Sequence, residues 1–107
     1  MKKLLVLLFL SIVALPLYAA DKTDHVNSIN IYGSEWGNSW SGGVLFALDS
    51  MPAGVSFFTF RKDDAAYNAF LSTLLSVKAS EKKLKVVYDP AKTDANGYTA
   101  VRVLVIP

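Results

Sequence analysis

The run YGSEWGNSWSGG, residues 32–43, holds both tryptophans of the chain, Trp36 and Trp40, among glycine, serine and asparagine. Tryptophan offers a flat apolar face with a polar N–H, a combination that suits both the C–H faces of sugars and the surfaces of proteins. Glu35, Asn38, Ser39 and Ser41 stand beside the two indoles with hydrogen-bonding groups for hydroxyls. Glu35, Trp36, Asn38 and Trp40 are therefore the candidate ligand-binding residues. The competing expectation is that Trp36 or Trp40 folds back over the core or packs at a subunit seam.

The other reactive residue types point away from catalysis. His25 is the single histidine, in the polar stretch Ala20–His25, which reads as an exposed leader. One histidine builds neither a catalytic triad nor a multi-histidine metal site. The chain has no cysteine, which excludes thiol chemistry and zinc–thiolate centres. Asp63 and Asp64 are adjacent just before a helical pattern and are expected to cap it. Asp89, Asp94 and Asn96 surround Gly97, but a calcium loop needs more oxygen donors at regular spacing, so turn chemistry is expected there. Lys82, Lys83 and Lys85 read as solvated lysines guarding a strand edge. No enzyme activity, no cofactor and no metal is expected.

The chain opens MKKLLVLLFLSIVALPLYAADK. Lys2 and Lys3 precede an uncharged apolar run from Leu4 to Ala14, Pro16 interrupts it, and small residues follow. This is the pattern of a secretory signal peptide, residues 1–19, with cleavage expected after Ala19 and Ala20 as the close alternative. The apolar run is too short for the roughly 20 residues that span a bilayer, so no membrane anchor is expected. The product is expected to be exported, periplasmic or secreted. Without Lys2 and Lys3 the eleven basic residues become nine, which equals the nine acidic ones. A neutral domain lacks the basic surplus that drives binding to nucleic acid.

Residues 20–107 suffice for one small domain. With no disulfide available, apolar burial or a partner must stabilise it, and oligomerisation is one remedy for a small core. Strands are expected over Val26–Tyr32, Gly43–Asp49 and Val55–Phe60, the last two as a hairpin around Pro52 and Gly54. Ala66, Phe70, Leu74 and Val77 recur at helical spacing, flanked by Tyr67, Leu71 and Leu75, and predict an amphipathic helix over 65–78 with a broad apolar face. Leu84–Tyr88 and Tyr98–Ile106 are the last two strands, with Val101, Val103 and Val105 alternating against Arg102 and Leu104. The fold class is mainly β with one helix. The order β-β-β-α-β-β is that of the five-stranded OB-fold, a Greek-key barrel whose loop between the first two strands is a frequent ligand contact. An open α+β sheet is compatible with the same order.

The strand SINIY at 28–32, the strand ending Leu48-Asp49, FFTF at 57–60, the helix YNAFLSTLLSVKA at 67–79, LKVVY at 84–88 and VRVLV at 101–105 together resemble small exported bacterial OB-fold proteins. These include the B subunits of pertussis-type and subtilase-cytotoxin-type toxins. The resemblance implies a non-enzymatic binding module, homo-oligomeric as a pentamer, with cell-surface glycan as partner. It transfers no binding residue, and the absence of cysteine departs from the several B subunits that use disulfides. The rival expectation is a periplasmic protein–protein interaction or inhibitor-type protein of the same fold.

Overall fold

Alternating apolar residues in Val44-Leu45-Phe46-Ala47-Leu48 and Phe57-Phe58-Thr59-Phe60 put Val44, Phe46, Leu48, Phe58 and Phe60 on one face, and these side chains form the centre of the molecule. The computed structural model describes residues 19–37 and 41–107. The segment read as a signal peptide, Trp40 and Asn38 lie outside the described residues, apart from Ala19 at the edge of the signal segment. The elements are β1 (Ala20–Ile31), β2 (Val44–Leu48), β3 (Phe57–Phe60), α1 (Tyr67–Ser80), β4 (Lys83–Tyr88) and β5 (Tyr98–Val105). The strands close into a barrel in the order β1-β2-β3-β5-β4, with β3 and β5 parallel and the other neighbours antiparallel. This is the OB-fold arrangement, and the open sheet is excluded. No helix among the described residues is long and apolar enough to cross a membrane.

The stretch Ala20–His25 is not a leader. It forms the first half of β1 and pairs with β4, from Ala20 opposite Tyr88 to His25 opposite Lys83. Backbone ladders do not depend on side-chain polarity, and β4 needs a second neighbour for the barrel to close. From Val26 onward β1 pairs with β2 instead, and a bulge at Asn27 breaks that register between Val26 and Ser28. One strand thereby serves both halves of the barrel, since a bulge bends and twists the chain that carries it. The carbonyls of Val26 and Asn27 accept hydrogen bonds from Lys78 Nζ at 3.3 and 3.2 Å. The last turn of α1 is thus fixed to the bend in β1.

Within α1, Leu74 and Val77 are buried, while Tyr67, Phe70 and Leu71 pack against the core. Leu75 is 47% exposed, so the apolar face is narrower than the sequence suggests. Phe60 meets Tyr67 and Phe70 with ring centroids 5.6 and 5.4 Å apart, and Phe46 lies 5.6 Å from Phe58. Phe58 in turn stands 5.3 Å from Tyr88, so a chain of rings joins α1, β3, β2 and β4. The expected aspartate cap is replaced by a tight turn: Asp64 Oδ1 accepts from the N–H of Ala66 at 2.8 Å, one residue short of the helix. The helix ends with Glu81 in the left-handed region, where Lys82 N–H reaches the Val77 carbonyl.

In β5, Thr99 and Val101 face the interior, but a second bulge shifts the register opposite Val87 and Tyr88. Beyond it Leu104 packs on the core, whereas Val103 and Val105 point to solvent. The even alternation expected from Val101 to Val105 is therefore broken, because the extra residue reverses which side chains face inward.

The seam between β3 and β5 closes the barrel with only Phe57–Tyr98, Phe58–Thr99 and Thr59–Ala100 as partners. Gly97 starts this seam, its carbonyl accepting from Ser56 N–H at 2.7 Å. Its φ is +83°, and a Cβ there would meet Ser56 Oγ at 2.6 Å and Ser56 N at 3.0 Å. Gly97→Ala is expected to cost about 1–3 kcal/mol of unfolding free energy in urea titration. Gly33→Ala, where a Cβ would meet nothing within 4 Å, is expected to stay within about 0.5 kcal/mol of the parent.

Candidate functional site

The loop between β1 and β2 is held shut at its base by two backbone hydrogen bonds. Tyr32 N–H donates to Gly43 O at 2.9 Å, and Gly42 N–H to Tyr32 O at 2.7 Å. Gly42 has φ +78°, and a Cβ there would run into the Lys62 side chain at 2.8 Å, which explains a glycine where the loop meets the chain after β3. Above this base Ser34–Trp36 form one turn of 3-10 helix, with Trp36 N–H on Gly33 O and Gly37 N–H on Ser34 O. Ser41 Oγ adds a longer contact to Ser34 O at 3.4 Å.

This turn places Glu35 and Trp36 on a groove of about 460 Å³ lined also by Asn30 and Ile31 at the end of β1 and by Tyr32 just after it. The Trp36 ring meets Tyr32 edge-on, with centroids 5.1 Å apart and an interplanar angle of 80°. Trp36 is 62% exposed and Ile31 54% exposed, so this indole does not cover the core. Glu35 and Trp36 thus share one concavity. Sequence reasoning did not single out Asn30, Ile31 and Tyr32, which complete it. They were read as ordinary strand residues, and only the loop's return over the end of β1 brings them into the groove.

A second cluster joins residues that are remote in sequence. Asp24, His25 and Asp49 present ligand-type atoms within 4.8 Å of one another. His25, expected in an exposed leader, is half-buried, with Nδ1 3.5 Å from Asp24 Oδ1. Most of the carboxylate oxygens already have partners. Asp24 Oδ2 accepts from Ser50 Oγ at 2.7 Å and Ser50 N at 3.0 Å, Asp24 Oδ1 accepts from His25 N at 2.8 Å, and Asn27 Nδ2 donates to Asp49 Oδ1 at 3.2 Å. The arrangement ties the turn after β2 to β1. The hydrogen bonds from Ser50, then that from the His25 backbone, pull the Asp24 carboxyl down to about 2.

At the opposite hairpin, Asp89 Oδ1 accepts from Ala91 N, and Asp94 Oδ1 from the N–H groups of Asn96 and Tyr98. These oxygens shape turns, as the spacing predicts. Asp63, with Arg61 and Lys62, borders a shallow hollow shared with Ser41.

Compared with known proteins, the chain matches no family model, no curated protein and no solved structure at a significant level. Its fold is therefore identified by strand order and register, and its function has to be argued from the groove.

Two outcomes follow from this geometry. Trp36→Ala is expected to change unfolding free energy by less than about 0.5 kcal/mol, whereas an indole packed as a core lid would cost about 3–5 kcal/mol on truncation. Asp24 has its folded-state pKa below that of the unfolded chain, so its stabilising contribution is complete above about pH 4 and disappears as pH falls through about 2. Asp24→Asn is expected to flatten that part of the acid limb, seen in urea midpoints collected from neutral to strongly acidic pH.

Proposed function

We propose that this protein is an exported, non-enzymatic binding module, similar to toxin B subunits, that holds a glycan in the groove at the β1–β2 loop. The observation that carries the reading is the exposed Trp36 ring set edge-on to Tyr32 above a groove of about 460 Å³, within the range of small-ligand sites. An edge-to-face pair leaves at least one face of each ring uncovered by its partner, and an open indole face suits the C–H face of a sugar ring. Asn30 and Glu35 supply the hydrogen-bonding groups that orient hydroxyls. The loop between the first two strands is a common ligand-contacting position in OB-folds, and oligosaccharides are among the ligands.

Export is argued from the opening residues Met1–Ala19, and the non-enzymatic reading from a sequence with one histidine and no cysteine. Oligomerisation is carried over from the toxin resemblance. Light scattering coupled to size exclusion tests it directly: a mass five times that of the chain supports a ring, and a monomer removes the analogy's quaternary part.

A separate observation favours the rival reading, binding to another exported protein. Val103 is 46% exposed on β5, and Val105 at its end and Ile106 just after it are exposed as well. Apolar area of this kind is a feature of protein contact surfaces. A glycan array on the purified protein separates the two. The expected result is binding to a defined set of sugars, weakened about ten-fold or more by Trp36→Ala. Binding unaltered by that substitution moves the site elsewhere, and an empty array favours the protein partner.

A further inference from the structure

We infer that the groove selects glycans bearing a free, positively charged amino group and discriminates against acidic sugars. This rests on the glycan reading above and adds the charge class of the ligand.

Among the described residues lining the groove, Glu35 is the single charged one; the others are the neutral Asn30, Ile31, Tyr32, Trp36 and their neighbours. Glu35 and Trp36 are adjacent in one 3-10 turn, so the carboxylate and the indole are fixed together on the groove. Aromatic rings carry negative charge on their faces, and the Trp36 indole is 62% exposed. A carboxylate beside the exposed indole makes the groove a place of negative potential. An ammonium there gains a cation–π contact and an ion pair together. The carboxylate of an acidic sugar meets repulsion from Glu35 and finds no cation in the groove lining to offset it.

The basic residues adjoining the loop lie outside the groove lining. Lys62 lies against Gly42 at the loop base, and Arg61 and Lys62 line a different hollow together with Ser41 and Asp63. Ile31, 54% exposed in the groove lining, offers the apolar surface for the sugar ring that carries the amine.

Calorimetric titration of the purified protein with three probes tests the inference: a glucosamine trimer with free amines, its fully N-acetylated counterpart, and a sialylated lactose. The free-amine trimer is expected to bind about ten-fold tighter than the acetylated one, with the sialylated sugar weakest, and to weaken as salt is raised. Glu35→Gln is expected to abolish that ratio, because the substitution keeps the side chain's shape and removes its charge. Glu35 is exposed, so the variant is expected to keep the parent's thermal midpoint. Equal binding of the two trimers, or preference for the sialylated sugar, overturns the charge assignment and leaves the glycan reading standing. Binding of none of the three, with a blank glycan array, overturns both.

Discussion

The whole barrel depends on a three-residue parallel seam. β1 to β2, β2 to β3, and β4 to β5 are joined as antiparallel neighbours, but β3 and β5 meet only from Phe57–Tyr98 to Thr59–Ala100. Parallel pairing between distant segments brings the least local help, because loop closure must come before any contact is made. The chain compensates on both sides of the seam. Outside, Phe57 and Tyr98 meet edge to face at 5.8 Å; inside, Phe58 and Thr99 are almost wholly buried. Gly97 sets the start, since its carbonyl takes the N–H of Ser56, and its backbone approaches more closely than a side chain would permit. The Asp94 carboxylate fixes the turn that delivers Gly97 to that position.

The second constraint is the bend in β1. A strand that must pair with β4 along one half and β2 along the other has to change direction, and the Asn27 bulge supplies the change. A bulge disrupts the ladder locally, and beside it Lys78 donates to the carbonyls of Val26 and Asn27 from the last turn of α1. The helix is therefore attached at both ends of its apolar face: through Phe60 to β3 at Tyr67 and Phe70, and through Lys78 to β1. Asp24 and Ser50 brace the same corner from the β2 side. What looks like a metal-type cluster is, in these terms, the outer buttress of the bend.

Element order and the helix were legible in the sequence, because they are written in side-chain periodicity and turn residues; the inward set Val44, Phe46, Phe58 and Phe60 was not, since the second strand is apolar on both faces. The misreadings share one cause. Ala20–His25 pairs through backbone alone, so its polar side chains gave no alternation to find. The phase break in β5 is a relation between two strands, and no residue within Tyr98–Val105 announces it. Asp24 and Asp49 meet only because β1 and β2 are neighbours. The loop at residues 32–43 was legible as a loop, and its residues as sugar- or protein-binding types. Whether an indole turned inward was not, since glycine and serine permit either direction.

The groove follows from the same economy of backbone contacts. Tyr32 directly follows β1 and is the hydrogen-bonded residue of the loop base, exchanging bonds with Gly42 and Gly43. Its ring is therefore positioned by the barrel, and the loop only has to bring Trp36 against it. The 3-10 turn does so with two short backbone bonds, from Trp36 and Gly37 to Gly33 and Ser34. An exposed tryptophan gains little for folding, since most of its surface stays in water. Held against a ring that belongs to the rigid barrel, it loses less freedom when a ligand arrives, and that lowers the ordering cost of binding. The loop thus joins an exposed indole to the residue that leaves β1 and closes the loop base, so the geometry of the pair is set by backbone hydrogen bonds and not by burial.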